Sequence, residues 1–398
     1  MQYQKGKLTN IRVLDGLRGV AILLVIIGHI ELIHKYILGL KSFNIGFIDQ
    51  KLLQLMELGW VGVDLFFVIS GFLITRILLI KKGSKSLLKN FYIRRILRIF
   101  PLYYLSLFIY FFLLPLTKFR EISSSKYSIY DANQIYLWTY TVNFLREKGA
   151  YVQGELMHFW SLAVEEQFYL IIPIFILYLG RNQLKSLFLF GIFISIIFRI
   201  INIYILKEES INLYVHTLSR IEPIFWGGLL ATLMEEMNVP EISTWRSRGR
   251  FILTAVLSII VGILFFEGQF QGETPFNYTY SGYFNLMQSL GFTCISVFFS
   301  SLLFLLVTSS SNNFLNNSIL TTLGKYSYFI YITNTLIISG LILLGFDFLK
   351  ISNFLGGIPV ISVLIFITST TIISIALGFL SFNLFEKHFL KLKDRFHY

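Results

Sequence analysis

An arginine and a histidine lie inside the first strongly apolar segment of the chain. Arg18 and His29 are eleven residues apart in the run VLDGLRGVAILLVIIGHIELI. Because an α-helix turns once every 3.6 residues, this spacing places both side chains on one face, roughly 16 Å apart along the axis. Ionisable groups inside a bilayer are costly and usually mark a pathway or a reaction site. The pair predicts a transmembrane helix with a permanent cation toward one side and a general base toward the other.

A structural interpretation of each residue alone is also open. Arg18 could extend to the headgroups, and His29 could hydrogen-bond a neighbouring helix. Asp15 lies one turn before Arg18 and could pair with it, which would lower the cost of burying the cation. We favour a functional interpretation for the matched pair, because its spacing brings both groups onto one face.

A basic segment follows the second apolar run. The stretch KKGSKSLLKNFYIRRILRIFPLYY, residues 81–104, carries seven basic and no acidic residues before its proline. Arg95 and Arg98 lie one helical turn apart, and guanidinium groups so placed can bind phosphate oxygens in bidentate fashion. The segment predicts a site for a nucleotide phosphate, or alternatively a topology determinant that attracts anionic lipid.

Two adjacent glutamates enter another apolar run, HFWSLAVEEQFYLIIP, at residues 158–173. His158, Ser161 and Glu165 follow helical spacing and share a face. Carboxylates are costly in a membrane, so we expect at least one of Glu165 and Glu166 to face the protein interior. Glu165 is the stronger functional candidate, and a structural polar cluster is the alternative.

Three further segments place polar side chains in apolar runs. In GWVGVDLFFVISGFLITR, Asp64 could belong to a site or lie in water at the membrane boundary, while Ser70 and the glycines permit close helix approach. Arg220 and Glu222 could form part of an ion-pair network only. Helical spacing in YSYFIYITN predicts interhelical hydrogen bonds from three side chains: Ser327, Tyr331 and Asn334.

The composition identifies an integral membrane protein. Of 398 residues, 55% are hydrophobic and only 14% are charged, whereas soluble domains carry about 25% charged residues. The formal charge of +12 does not indicate nucleic acid, because basic residues lie mainly in short segments between apolar runs. The single cysteine, Cys294, excludes an intramolecular disulfide, and the six histidines show no zinc-binding spacing. We therefore expect no bound metal or cofactor.

Long apolar runs predict an all-α, polytopic membrane protein with about ten transmembrane helices in one domain over residues 1–398. The predicted spans are 13–33, 57–80, 99–116, 159–180, 184–206, 218–236, 251–267, 284–307, 326–346 and 355–385. The predicted inner segments hold 20 Lys and Arg and the outer segments 10, which predicts both termini in the cytoplasm. A short interfacial helix is predicted around residues 134–145.

Four ordered motifs resemble those of the acyltransferase-3 family of integral membrane O-acyltransferases. They are LDGLRGVAILLVIIGH, GVDLFFVISGFLIT, RRILRIFPLYY and HFWSLAVEEQFYL. The resemblance covers nearly the whole chain, and since no SGNH-hydrolase-type domain follows, it is to the stand-alone members. Members typically move an acyl group, commonly acetyl from acetyl-CoA, onto a hydroxyl of a cell-envelope glycan or another acceptor.

The resemblance implies roles for individual residues. His29 would be the essential histidine and Arg18 its partner. Arg95 and Arg98 would lie on the donor side, and Glu165 would lie near the reacting centre. Apart from the resemblance, the polar positions within the apolar runs predict acceptor-side or supporting roles for Asp15, Asp64, Ser70, His158, Trp160, Ser161, Glu166, Arg220, Glu222 and Tyr331.

The chain departs from the family pattern at three places. Asn334 stands where the ninth-helix motif often ends in His. The sixth-helix Arg-x-Asp pattern reads Arg220-Ile-Glu222, and the common Pro is missing after Glu386. These departures leave the identity of the acceptor open.

The motifs and the resemblance together predict an acyl-CoA-dependent O-acyltransferase of the bacterial cytoplasmic membrane. CoA would meet Arg95 and Arg98 from the cytoplasm, and His29 would remove the proton from a hydroxyl of an envelope glycan or lipid-linked sugar. An acyl-histidine intermediate and a non-glycan small-molecule acceptor are alternatives. The predicted partners are acyl-CoA, the sugar acceptor and the lipid bilayer, without nucleic acid.

The main rival from another class is a secondary transporter of a glycan precursor or small anion, in which intramembrane Arg, His and Glu would serve equally well. Against it, the sequence shows neither repeated halves nor paired helices interrupted by Gly or Pro.

Overall fold

The computed structural model describes residues 11–37, 55–117, 130–145, 155–208, 210–271, 286–309, 314–356 and 359–396. Within these ranges the chain forms helices and no β-strand. In chain order the α-helices are α1 (Ile11–Ile37), α2 (Val61–Lys81), α3 (Leu87–Phe108), α4 (Gln134–Trp138), α5 (Phe159–Tyr178), α6 (Arg181–Ile200), α7 (Ser210–Val215), α8 (Thr217–Arg220), α9 (Glu222–Met234), α10 (Val239–Gln271), α11 (Phe292–Thr308), α12 (Ser318–Leu343), α13 (Phe348–Phe354), α14 (Pro359–Ser381) and α15 (Lys387–Lys393). Short π-helical turns adjoin several of them, at Ile109–Leu113, Ile201–Ile205, Met287–Gly291 and Phe382–Glu386.

Eight helical segments of the described chain are long and apolar enough to cross a membrane. They are Arg12–Ile30, Leu55–Lys81, Leu87–Leu116, Phe159–Tyr178, Arg181–Ile205, Met287–Thr308, Ser318–Leu343 and Val360–Lys393. These segments match eight of the predicted spans and confirm an all-α, polytopic membrane fold. The other two predicted spans, 218–236 and 251–267, are also helical, within α8–α9 and α10. The count of ten and the cytoplasmic termini stay predictions. The predicted interfacial helix is shorter than expected, because α4 ends at Trp138 and a 3-10 turn follows at Val142–Phe144.

The tightest helix contact relevant to the site joins α1 to α12 and the residues just before it. Gly16 and Gly19 on α1 press against the backbone carbonyls of Leu315 and Leu320, where a Cβ atom would overlap the oxygen. Gly324 on α12 presses in the same way against the Asp15 carbonyl. Small residues let helix backbones approach closely within a membrane. The α1–α12 contact therefore holds the helix that carries His29 against its neighbour.

A substitution in this contact should be costly. We expect Gly324→Ala to destabilise the protein by about 1–3 kcal/mol, because the added methyl group meets backbone rather than a flexible side chain. Thermal unfolding in detergent measures the effect. Gly340→Ala is the matched control on the same helix, because nothing lies within 4 Å of its added Cβ. Equal melting temperatures for the two variants would contradict the packing argument.

A second close contact joins α2 to α9. A Cβ on Gly71 would overlap the Ile224 carbonyl oxygen, and one on Gly227 would overlap that of Val68. The predicted close approach of helices along residues 59–76 is confirmed. This contact fixes α2, which supplies Ser70 to the site described next.

Candidate active site

A polar cavity of about 100 Å³ lies among helices α1, α2, α3, α5 and α12. Most of the residues predicted as catalytic, donor-side or supporting line it: Arg18, Ser70, Arg95, Arg98, Ser161, Glu165, Glu166 and Tyr331. These residues come from five separate helices and are up to about 300 residues apart in the sequence, so only the folded protein brings them together. We call this space the polar cavity.

Three arginines contribute positive charge to the polar cavity. Arg18 on α1 lies 3.5 Å from Asp15, which confirms the predicted pair one turn apart. Arg98 lies within electrostatic range of both Arg18 and Arg95. Arg98 is exposed and Arg95 is partly buried, so this part of the cavity reaches the protein surface. The Asp15 carboxylate interacts with both Arg18 and Arg98 and offsets part of the repulsion among these cations.

The neighbouring Arg94 has a different role. Its guanidinium donates to the backbone carbonyls of Lys393 and Phe396, at 3.0 and 2.9 Å, and so ties the C-terminal end of the described chain to α3. Of the two adjacent arginines, only Arg95 lines the cavity.

A tyrosine that the sequence analysis missed joins the arginines to the carboxylates. The hydroxyl of buried Tyr169 donates to Glu165 Oε1 at 2.6 Å and also hydrogen-bonds Ser70. The guanidinium of Arg95 lies over the Tyr169 ring, 5.3 Å from its centroid. Tyr169 is four residues after Glu165 on α5, and this spacing was the signal that could have identified it.

His29 does not line the polar cavity but is joined to it through two aromatic side chains. Tyr331 lines the cavity and hydrogen-bonds Ser161. The His158 ring lies 5.2 Å from the Tyr331 ring and 5.4 Å from the His29 ring, centroid to centroid. On its other side, His29 Nδ1 lies 2.5 Å from Asn334 Oδ1. These contacts confirm the interhelical hydrogen bonds predicted for Tyr331 and Asn334.

His158 is the residue immediately before α5, and its side chain is 2% exposed. Burial lowers the pKa of His158 well below its ordinary value, and the neighbouring His29 lowers it further. This shift favours the uncharged form of the His158 ring, which lies beside His29.

The prediction for Ser327 was wrong. Its hydroxyl donates to the Gly324 carbonyl of its own helix at 2.9 Å, rather than to a neighbouring helix, although the residue lines the cavity. A serine in a helix often bonds the carbonyl three or four residues before it, which spacing alone does not reveal. Glu386 accepts a hydrogen bond from Ser381 at 2.9 Å, at the end of the last described span.

Two buried ion pairs form a separate cluster. Asp64 pairs with Arg220 at 2.8 Å and Glu222 pairs with Arg199 at 2.6 Å, and all four side chains are fully buried. The possibility that Asp64 lies in water at the membrane boundary was therefore wrong. The ion-pair network suggested for Arg220 and Glu222 is confirmed, with Arg199 as a partner that the sequence analysis did not single out.

Aromatic rings complete this ion-pair cluster. The Arg220 guanidinium lies 4.5 Å from the Phe292 ring centroid and 4.7 Å from that of Tyr214. Trp160 lies next to the same guanidinium, at 5.7 Å. Trp160 thus contacts the ion-pair cluster, and it does not line the polar cavity.

Breaking the Asp64–Arg220 pair should strongly destabilise the fold. We expect Asp64→Asn to cost about 3–5 kcal/mol, because it leaves the guanidinium buried without a counter-charge. Yield and melting temperature in detergent report the effect. Glu236→Gln, which breaks the half-exposed Lys185–Glu236 pair at 3.0 Å, is the matched control and should cost less than about 1 kcal/mol. An Asp64→Asn variant as stable as this control would contradict the assignment.

The fold and the site define a polytopic helical membrane protein whose polar cavity combines arginines, carboxylates and tyrosines next to a pair of histidines. Within the described ranges, no three His, Cys, Asp or Glu side chains gather as metal ligands do. The chain belongs to the acyltransferase-3 family, whose acyltransferase domain matches residues 11–379. The family resemblance read from the four sequence motifs is confirmed.

Curated relatives carry names of the same kind. A Staphylococcus aureus (strain COL) protein named "Putative O-acetyltransferase SACOL0978" is 29% identical over 347 residues, which cover 84% of this chain and 51% of the relative. The "O-acetyltransferase OatA" of Staphylococcus aureus (strain NCTC 8325 / PS 47) is 30% identical over 226 residues, covering 55% of this chain and 34% of the relative. The chain thus spans about half the length of the first relative and about a third of the second. No solved structure is significantly similar to the chain.

Proposed function

We propose that the chain is an acetyl-CoA-dependent O-acyltransferase of the bacterial cytoplasmic membrane. Its acceptor in this proposal is a hydroxyl of a cell-envelope glycan or a lipid-linked sugar. The observation that carries the proposal is the polar cavity, which joins a group of arginines to carboxylates and, through Tyr331 and His158, to His29. The names of the two relatives support O-acetyl transfer in particular.

The donor end of the cavity is the group formed by Arg18, Arg95 and Arg98. Guanidinium groups suit phosphate oxygens because they bind them with two parallel hydrogen bonds. CoA carries several phosphate charges, and the exposure of Arg98 gives such an anion a route to the group. Since CoA is cytosolic, the proposal places this end, and both chain termini, on the cytoplasmic side.

His29 acts as the general base in the proposed reaction. It takes the proton of the acceptor hydroxyl while the hydroxyl oxygen attacks the thioester carbonyl carbon. The new C–O bond forms, the C–S bond breaks, and the CoA thiolate receives the proton that His29 holds. Glu165, held by Tyr169, is placed to hydrogen-bond and orient the acceptor. In the alternative route, His29 attacks the thioester itself and carries the acyl group as an intermediate.

The names of the two relatives support acetyl as the acyl group. A small-molecule acceptor without sugar is the alternative substrate for the same chemistry.

Purified protein in proteoliposomes tests the proposal. With radiolabelled acetyl-CoA and a bacterial glycolipid extract, we expect label in the glycolipid fraction, covalently bound and released by mild base as an ester is. Label that accumulates inside the vesicles as a free anion would instead support a transporter, the rival favoured by a cavity rich in arginine. Mass spectrometry of surface polysaccharide from deletion and parent strains should then show the loss of one acyl unit and identify the acceptor.

A further inference from the structure

The side-chain amide of Asn334 has only one acceptable orientation. Its Nδ2 atom donates to the carbonyl oxygens of Ile330 and Tyr331, at 3.1 and 2.6 Å. The side chain is fully buried, so water offers no alternative partner. Turning the amide over would point its oxygen at two carbonyl oxygens, which only accept hydrogen bonds. The amide oxygen Oδ1 must therefore face His29.

This orientation decides where the proton of His29 lies. Nδ1 of His29 is 2.5 Å from Asn334 Oδ1, and an amide oxygen only accepts. Nδ1 must consequently carry the hydrogen. A neutral imidazole carries one N–H, so Nε2 keeps its lone pair. In the part of the chain that the structure describes, the Asn334 contact is the only hydrogen bond of the His29 ring.

We propose that Asn334 is a positioning residue that holds His29 in the Nδ1-protonated tautomer and leaves Nε2 as the base. This inference deepens the proposed function and rests on it for the role of Nε2, but the tautomer itself does not depend on any activity. The two residues are held together by the close contact of α1 with α12, at the glycines already described. Because the amide is uncharged, it sets the tautomer of His29 without placing a carboxylate inside the membrane, where charges are costly.

Nuclear magnetic resonance of the full chain tests the tautomer directly. Protein labelled with ¹⁵N at its six histidines is placed in nanodiscs, and signals lost in His29→Ala identify His29. Long-range ¹H–¹⁵N correlation distinguishes a ring nitrogen that carries hydrogen from one that does not. We expect Nδ1 of His29 to be protonated and Nε2 to be unprotonated in the wild type.

Variants of Asn334 separate positioning from packing. Asn334→Ala removes the acceptor, and we expect a mixture of His29 tautomers and a kcat lowered by about 10-fold, a part of the roughly 10²–10⁴-fold that a general base contributes, with the KM for acetyl-CoA unchanged. Asn334→Asp reproduces the pattern only as the neutral acid, whose hydroxyl donates to the carbonyls of Ile330 and Tyr331 while the other oxygen accepts from His29 Nδ1. In that form it should restore the Nδ1-protonated tautomer and part of the activity. Thr333→Val is the matched control, because the Thr333 hydroxyl bonds only its own helix at 2.9 Å, and it should leave the tautomer unchanged.

The outcomes are distinguishable from failure of the proposed function. A wild-type His29 protonated at Nε2 alone or at both nitrogens would overturn the inference, as would an unaltered tautomer in Asn334→Ala. If the wild type shows the expected tautomer but transfers no acyl group, the proposed function fails and the assignment of the tautomer stands. If the protein transfers acyl groups but His29 is not protonated at Nδ1, the proposed function stands and the tautomer assignment fails.

Discussion

We expect the replacement of His29 by alanine to abolish acyl transfer while the protein stays folded and monodisperse in detergent. Loss of a general base typically lowers a rate about 10²–10⁴-fold, so transfer to the acceptor should fall close to background. The loss is expected because His29 is the proposed base. Its ring is linked to the polar cavity through His158 and Tyr331 and is hydrogen-bonded to Asn334. Radiolabelled acetyl transfer from acetyl-CoA to glycolipid measures the effect.

His388→Ala is the matched control for this experiment. His388 is an exposed histidine on α15 that does not line the cavity, and its removal should leave the rate unchanged. Full activity in the His29→Ala variant would reject the proposed mechanism. Rapid-quench labelling without acceptor distinguishes the two chemical routes, because only an acyl-histidine intermediate would leave the label on the wild-type chain and not on the variant.

The second large effect is expected at the arginine group. We expect Arg95→Ala and Arg98→Ala each to raise the KM for acetyl-CoA by about 10–100-fold, the equivalent of one lost hydrogen bond to a charged group at about 1.5–3 kcal/mol. A truncated thioester donor that lacks the nucleotide phosphates should react equally well with wild type and variants. The contrast between the two donors shows that the arginines bind phosphate rather than support the fold.

Arg94→Ala provides the matched control for the arginine variants. It removes a neighbouring cation whose guanidinium donates to the carbonyls of Lys393 and Phe396 rather than lining the cavity. Its KM for acetyl-CoA should stay near the wild-type value. A loss that is equal for full-length and truncated donors, or equal in all three variants, would contradict a phosphate site at Arg95 and Arg98.

Much of the site could be predicted from local spacing. Arg18 with Asp15, and Arg95 with Arg98, are neighbours along single helices, so the helical period alone was enough to pair them. Spacing also favoured Glu165 over Glu166, since Glu165 shares a helical face with His158 and Ser161, but both glutamates line the cavity. The hydrogen bond from Tyr169 distinguishes Glu165, and its four-residue spacing is local but was not used.

The roles of Asp64 and Asn334 illustrate what local spacing leaves undecided. From the sequence, Asp64 could have belonged to a site or lain in water at the membrane boundary. Its partner Arg220 is 156 residues away in the chain, so spacing could not identify the pair. Asn334 stood out only as a departure from a family motif, yet it is the hydrogen-bond partner of His29 across 305 residues. Neither partner can be chosen from sequence separation, because helices from distant parts of the chain meet through packing.

By itself, the sequence determined the membrane environment, the all-α class and the family, and it predicted a shared helical face for Arg18 and His29. These follow from composition and from the fixed 3.6-residue period of the helix, which act within one segment. Only the tertiary structure decided that the arginines, Glu165 and Tyr331 share one cavity, that Asp64 belongs to a buried ion pair, and which atom of His29 faces Asn334. The physical reason is that close packing at glycines and buried hydrogen bonds select one arrangement of the helices, and that selection is made between segments rather than within them.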